Sequence, residues 1–151
     1  MSPSPDIRRG RSADLPPVLA LLESAGLPTA DLKSIPRLQM WVLEAKESVA
    51  GVIALEHHGS EGLLRSLAIA PEYRKRGFGI ALVRRLEDDA RAEGVEVLVL
   101  LTETAESFFR RLGYQVIERC SVSEALSQSA EFRSLCPMSA ICMSKVLEKS
   151  S

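Results

Sequence analysis

The chain has 151 residues, 46% of them hydrophobic and 26% charged, with a formal net charge of -1. That balance suits one soluble globular domain with its own core and excludes a disordered chain, while no apolar run reaches the roughly 18 residues of a membrane span. A near-neutral chain has no general field to draw nucleic acid or an anionic membrane, and its three cysteines, Cys120, Cys136 and Cys142, lack the C-x-x-C spacing of a zinc ribbon.

Met1 is followed by Ser2, Pro3, Ser4, Pro5 and Asp6 rather than an apolar leader, so a cytoplasmic location with reduced thiols is expected. A short strand is predicted over residues 6–9. Asp14 then opens a helix with Pro16 and Pro17 in its first turn, Leu15, Val18, Leu19 and Leu22 on one face, and Gly26 as its stop. Thr29 or Asp31 caps a short second helix that ends near Pro36. Three strand-like runs follow, 38–44, 48–56 and 63–70, joined by polar turns short enough for an antiparallel meander. From Gly79 the period changes from two to 3.6: Leu82, Val83, Leu86 and Ala90 share a face, and Gly94 closes the helix. Residues 95–101 are nearly all Val or Leu, as in a strand buried on both faces. Ala105, Phe108, Phe109 and Leu112 trace another helix, closed by Gly113. Strands are predicted over 114–120 and 139–146, with a helix or ordered loop over 122–129 between them. No repeat or Gly/Ser linker divides the chain, so one mixed α/β domain is expected.

The most informative stretch runs from Leu67 to Leu82. A strand ends, Pro71 turns the chain, and Arg74, Lys75 and Arg76 precede Gly77, Phe78, Gly79 and Ile80 at the start of an amphipathic helix. Backbone N–H groups in a helix's first turn have no partner within the helix and carry positive partial charge, so this is a cradle for an anion. The plainer reading is a tight strand-to-helix turn with solvated cations. A dinucleotide-binding Gly-x-Gly-x-x-Gly fails because Leu82 stands where the third glycine belongs, and no Gly-Lys-Ser/Thr supports a P-loop.

Arg74-x-x-Gly77-x-Gly79 resembles the signature of the GNAT superfamily of acetyl-CoA-dependent N-acetyltransferases, Arg/Gln-x-x-Gly-x-Gly/Ala after a strand and a Pro-containing turn. Phe108-Phe109-Arg110-Arg111-Leu112-Gly113-Tyr114 resembles the family's Leu-Tyr-x-x-x-Gly-Phe segment. A narrower similarity, to the arsenic-resistance N-acetyltransferase subgroup, runs through Gly26-Leu27-Pro28 with Asp31-Leu32, through Leu64-Arg65-Ser66-Leu67-Ala68, and through Phe132, Ser134-Leu135-Cys136-Pro137, Ser139-Ala140 and Cys142-Met143. The resemblance implies a mostly antiparallel sheet of about six or seven strands with a V-shaped splay between strands four and five, flanked by about four helices.

It also implies acetyl-CoA as cosubstrate and direct transfer to an amine in a ternary complex. Its pantetheine arm would run along strand four, on backbone groups of Leu67, Ala68 and Ile69, with the pyrophosphate on Arg74, Lys75, Arg76, Gly77, Phe78, Gly79 and Ile80. An alkylammonium near pKa 10.4 is less than about 0.1% neutral at pH 7, so a base is useful, and Glu56 is the candidate. Its plainer reading is a solvated acid beside a turn. Many relatives carry a Tyr general acid where this chain has Phe109, which donates no proton, and often an Asn where it has Thr102. Either the thiolate departs with solvent help or Tyr114 or Cys136 is the donor, although Tyr114 also reads as the start of a strand. Arg65 interrupts an apolar strand and therefore faces water or enters the acceptor cleft, where a guanidinium would clamp a carboxylate. His57 and His58 are adjacent, alternate faces on a strand and lack a third ligand, so no metal is expected.

The expected acceptor is thus a small-molecule amine, amino-acid-like or an organoarsenical. The alternatives are acetylation of a protein or peptide, or a CoA-binding or metalloid-sensing module without turnover. A homodimer through an edge strand is a further expectation.

Overall fold

In the computed structural model, the described residues are 5–27, 29, 38–118 and 140–147. They form β1 (Asp6–Arg9), α1 (Leu15–Ser24), β2 (Leu38–Ala45), β3 (Ser48–His58), β4 (Glu61–Ile69), α2 (Phe78–Ala92), β5 (Val97–Thr102), α3 (Glu106–Arg111), β6 (Gln115–Ile117) and β7 (Ile141–Val146). The seven strands make one sheet in the order β1-β2-β3-β4-β5-β7-β6, antiparallel except where β4 meets β5. Among the described residues no helix is long and apolar enough to cross a membrane. The expected helices near 29–36 and 122–129 and the C-terminal part of the strand over 114–120 lie largely outside the described residues.

The meander is tighter than its sequence suggests. β3 continues to His58 and β4 begins at Glu61, leaving Gly59-Ser60 as a two-residue turn, and Lys46-Glu47 turn the other hairpin with φ of 52° and 64°. Two left-handed residues suit the twist of a hairpin, although neither is a glycine.

Alternation of side chains gives the sheet two faces. On one, Leu82, Val83, Leu86 and Ala90 of α2 pack with Trp41, Ile53, Leu55, Leu64, Leu98, Leu100 and Met143, and Phe109, Leu112 and Tyr114 complete the cluster. On the other, Val18 and Leu22 of α1 pack with Val42, Val52 and Ala68. The period-3.6 stripe of α2 is therefore its buried face, and Gly94 ends it with φ 92°.

Two features of β4 set up the site. Its pairing with β5 covers only Glu61↔Val97, Gly62↔Leu98 and Leu63↔Val99. Beyond Leu63 the two parallel strands part, and the gap opens toward their C-terminal ends. On its other edge β4 pairs Ala54↔Arg65 and Val52↔Ala68, so Ser66 and Leu67 stand opposite Ile53 alone as a β-bulge. Ser66 takes φ 61°, a conformation that costs a non-glycine residue about 1–2 kcal/mol.

Candidate active site

The bulge and the fork decide what β4 offers to the gap. Ala70 N–H donates to Ala50 C=O at 2.7 Å. By antiparallel alternation, Val52↔Ala68 is the next bonded pair and Gly51↔Ile69 lies between them without ladder bonds. The N–H and C=O of Ile69 therefore point away from β3, into the gap. Its C=O accepts from Arg74 Nε at 2.9 Å, which ties the basic loop to the end of the strand. An extended ligand arm laid in the gap meets strand-like backbone groups there.

From Ile69 the chain passes through a 3-10 turn, Pro71–Tyr73, into the exposed residues Arg74, Lys75, Arg76 and Gly77. Lys75 at φ 64° and Gly77 at φ 84° bracket Arg76, an alternation that turns successive N–H groups to one side. Gly77 is the N-cap of α2 and no side chain caps the helix, so the N–H groups of Phe78, Gly79 and Ile80 lack helical partners. A Cβ built on Gly77 meets nothing within 4 Å, so the space before the cradle is open. One on Gly79 would meet the Phe108 ring at 3.5 Å, an ordinary contact, so packing alone does not demand a glycine there. Arg76 stacks over Tyr73 at 5.4 Å from its centroid. Charge, open space and unpaired donors fit a pyrophosphate here, and the gap beside Ile69 fits the arm that follows it.

At the root of the fork, on the α1 face, lie Glu56 and Arg65. Arg65 Nη1 donates to Glu56 Oε2 at 3.3 Å, and the Arg65 side chain is 0% exposed. Glu56 is buried as well, which replaces the solvated acid of the sequence reading and excludes a water-facing Arg65. The second carboxylate oxygen, Oε1, lies 2.8 Å from His58 Nε2. His57, on the opposite face, engages Gln39 and lies 3.6 Å from Glu93. Among the described residues no three His, Cys, Asp or Glu side chains gather as a metal site.

Tyr114 is not at the fork. It is buried against α2, where its hydroxyl donates to Glu87 Oε2 at 2.9 Å and its ring meets Phe109 edge to face. Burial first, and then the Glu87 charge, push its ionisation well above the ordinary tyrosine value. Lys145 Nζ completes the group, 3.0 Å from Glu87 Oε2 and 2.9 Å from Leu112 C=O. Phe109 is core, and Thr102 Oγ1 accepts from Ala105 N–H at 3.0 Å ahead of α3. Cys136 lies outside the described residues, and Cys142 is buried beside Leu63 and Val99.

Sequence reasoning passed over the bulge, His58 as a partner of Glu56, and Glu87. Period two places Glu56 and His58 on one face of a strand, a signal that was available. The left-handed Ser66 has none, since serine has no special claim to that conformation.

A family profile described as the acetyltransferase (GNAT) domain matches residues 36–116. The chain is 30% identical to an uncharacterized N-acetyltransferase of Chlorobaculum tepidum over 120 residues, 75% of this chain and 77% of that one. It is 39% identical to the amino-acid acetyltransferase of Pseudomonas fluorescens over 66 residues, 42% of this chain but only 15% of the relative's length. Its fold matches N-acetylglutamate synthase from Neisseria gonorrhoeae, solved with coenzyme A and N-acetyl-glutamate, with a TM-score of 0.80 and 21% identity over 99% of this chain and 36% of that one.

Proposed function

Because the chain belongs to the GNAT acetyltransferase family, we propose that it moves the acetyl group of acetyl-CoA to the amine of a small, carboxylate-bearing molecule, an amino acid or a close analogue. The observation that carries the acceptor class is the Glu56–Arg65 pair, buried at the root of the fork. The short matching stretch of an amino-acid acetyltransferase and the fold shared with N-acetylglutamate synthase support the same class.

Acetyl-CoA supplies the acetyl group as a thioester, and the chain's residues supply position and proton handling. The first turn of α2, with Arg74, Lys75 and Arg76, holds the pyrophosphate, while the β4 edge at Leu67 and Ile69 aligns the arm in the gap; Ala68, expected beside them, pairs its backbone with Val52 of β3 instead. The Ile69 N–H is placed to donate to the thioester oxygen, a contact typically worth about 2.7–4 kcal/mol as charge develops there. Glu56 takes a proton from the acceptor ammonium. Arg65 keeps a guanidinium beside that base, buried and set to meet an anion bidentately. A carboxylate on the acceptor is the group such a guanidinium would hold, so amines without one are expected to be poorer substrates.

Arsenical amino acids belong in the same class. The segment Leu64-Arg65-Ser66-Leu67-Ala68, which resembles the arsenic-resistance subgroup, is the bulged stretch of β4 beside the gap. A cytoplasmic setting accords with this use of acetyl-CoA. The test is thiol release from acetyl-CoA across the protein amino acids, an arsenical amino acid, and the matching amines without a carboxylate. Release confined to acids supports the reading; equal release with the decarboxylated amines, or release only with peptides, overturns it.

A further inference from the structure

We propose that His58 is the proton exit of the site: protons taken from the acceptor ammonium by Glu56 leave for solvent through the His58 imidazole. The inference rests on Glu56 being the base of the reaction proposed above.

Three observations carry it. His58 Nε2 lies 2.8 Å from Glu56 Oε1, within direct proton-transfer reach, while the other carboxylate oxygen is occupied by Arg65 Nη1 at 3.3 Å. Side-chain exposure rises along the line, 0% at Arg65, 9% at Glu56 and 18% at His58, so among these three the imidazole has the most contact with water. Period two also puts His58 on the same face of β3 as Glu56, whereas His57 turns to Gln39 and Glu93.

The proton count requires such an exit. In forming an amide, the acceptor ammonium sheds two protons. The nitrogen lone pair bonds to the acetyl carbon, the C–S bond breaks, and its electrons leave on sulfur, which takes one proton. The other must reach solvent each turnover. With Glu56 protonated, the imidazole in its Nδ1–H tautomer takes the proton on Nε2 and releases the Nδ1 proton to water, and exchange of the ring protons with water restores that tautomer for the next turnover. Imidazole is suited to this near neutral pH.

Among the described residues, the charged groups facing His58 are Glu56 on its own strand and Glu61, its cross-strand partner on β4. His57 points to the opposite face, toward Gln39 and Glu93. The sheet thus separates the two histidines, and only His58 shares a face with Glu56.

The experiment compares wild type, His58→Gln, His58→Ala and Glu56→Gln in acetyl-CoA thiol release with the protein amino acids supplied singly, from pH 6 to pH 9.5, with and without free imidazole. The relay predicts that His58→Gln lowers kcat by roughly tenfold or more with little change in KM, a share of the usual effect of a positioned acid or base. It also predicts that imidazole restores His58→Ala in proportion to its neutral form and does not restore Glu56→Gln. If Glu56→Gln loses activity while both His58 variants keep the wild-type rate and pH profile, the relay alone is wrong. A His58→Ala loss that imidazole leaves untouched also overturns it. If Glu56→Gln keeps wild-type activity, or wild type releases no thiol, the underlying base reading fails and the relay with it.

Discussion

Gly77 holds a left-handed conformation at the mouth of the cradle, and two substitutions separate its backbone role from its electrostatic one. Gly77→Ala adds only strain, about 1–2 kcal/mol, and should lower Tm by a few degrees with a modest loss of CoA affinity. Gly77→Glu adds a negative charge within several ångströms of a pyrophosphate, about 1–4 kcal/mol of repulsion, and should raise Kd by a further tenfold or more in a calorimetric titration. Equal Kd for the two would mean that the anion does not sit there. Tyr114 makes the opposite case. Its proton is committed to Glu87, so Tyr114→Phe should cost about 1–2 kcal/mol in denaturant unfolding and change kcat less than twofold; a hundredfold fall would identify it as the proton donor. At this scale the sequence singled out Glu56, Arg65 and Tyr114 without showing what each of them touches. Arg65 was readable as an anomaly in an apolar strand, but its partner Glu56 comes from another strand, and no local spacing shows that two residues nine apart meet across a hairpin with a bulge.

At the scale of elements, periodicity was informative where one face is buried. The helices α1, α2 and α3 and the strands of the meander fall close to their expected places because each buries one stripe or one alternating face. β4 was harder, since its bulge interrupts the alternation and its pairing with β5 covers only three positions. The start of α1 has an electrostatic lock that spacing did not announce. Arg8 donates to both Asp14 oxygens, at 2.8 and 2.9 Å, and to Glu44 at 3.0 Å, while Arg11 N–H donates to Asp14 at 2.7 Å. The hydrogen bonds from Arg8, outweighing burial, lower the Asp14 carboxyl from 3.8 to about 2. A depressed carboxyl stabilises the fold above its unfolded pKa, and that share is lost as pH falls from about 4 toward 2. Wild type should therefore lose stability more steeply over that window than Asp14→Asn, by roughly 1 kcal/mol, as read from urea midpoints at successive pH values. Parallel acid limbs would remove the lock.

For the whole molecule, the consequential feature is the partial union of β4 and β5. Had they paired along their length, β4 would have no free edge, and the cradle at the start of α2 would bind an anion with nowhere for the rest of the ligand to lie. Parted after Leu63, they leave the end of β4 without a β5 partner between the α2 N-terminus and the buried Glu56–Arg65 pair, which is where the proposed function lays the arm. The turn into α2 was legible in Arg74-x-x-Gly77-x-Gly79; the parting of β4 from β5 was not, because it depends on where two distant strands stop pairing. The most direct test is a calorimetric titration with acetyl-CoA, followed in the same sample by addition of amino acids while free thiol is measured. The account predicts saturable binding that Gly77→Glu abolishes or greatly weakens, then thiol release when a carboxylate-bearing amine is added. Absence of acetyl-CoA binding by the folded wild-type chain would contradict it.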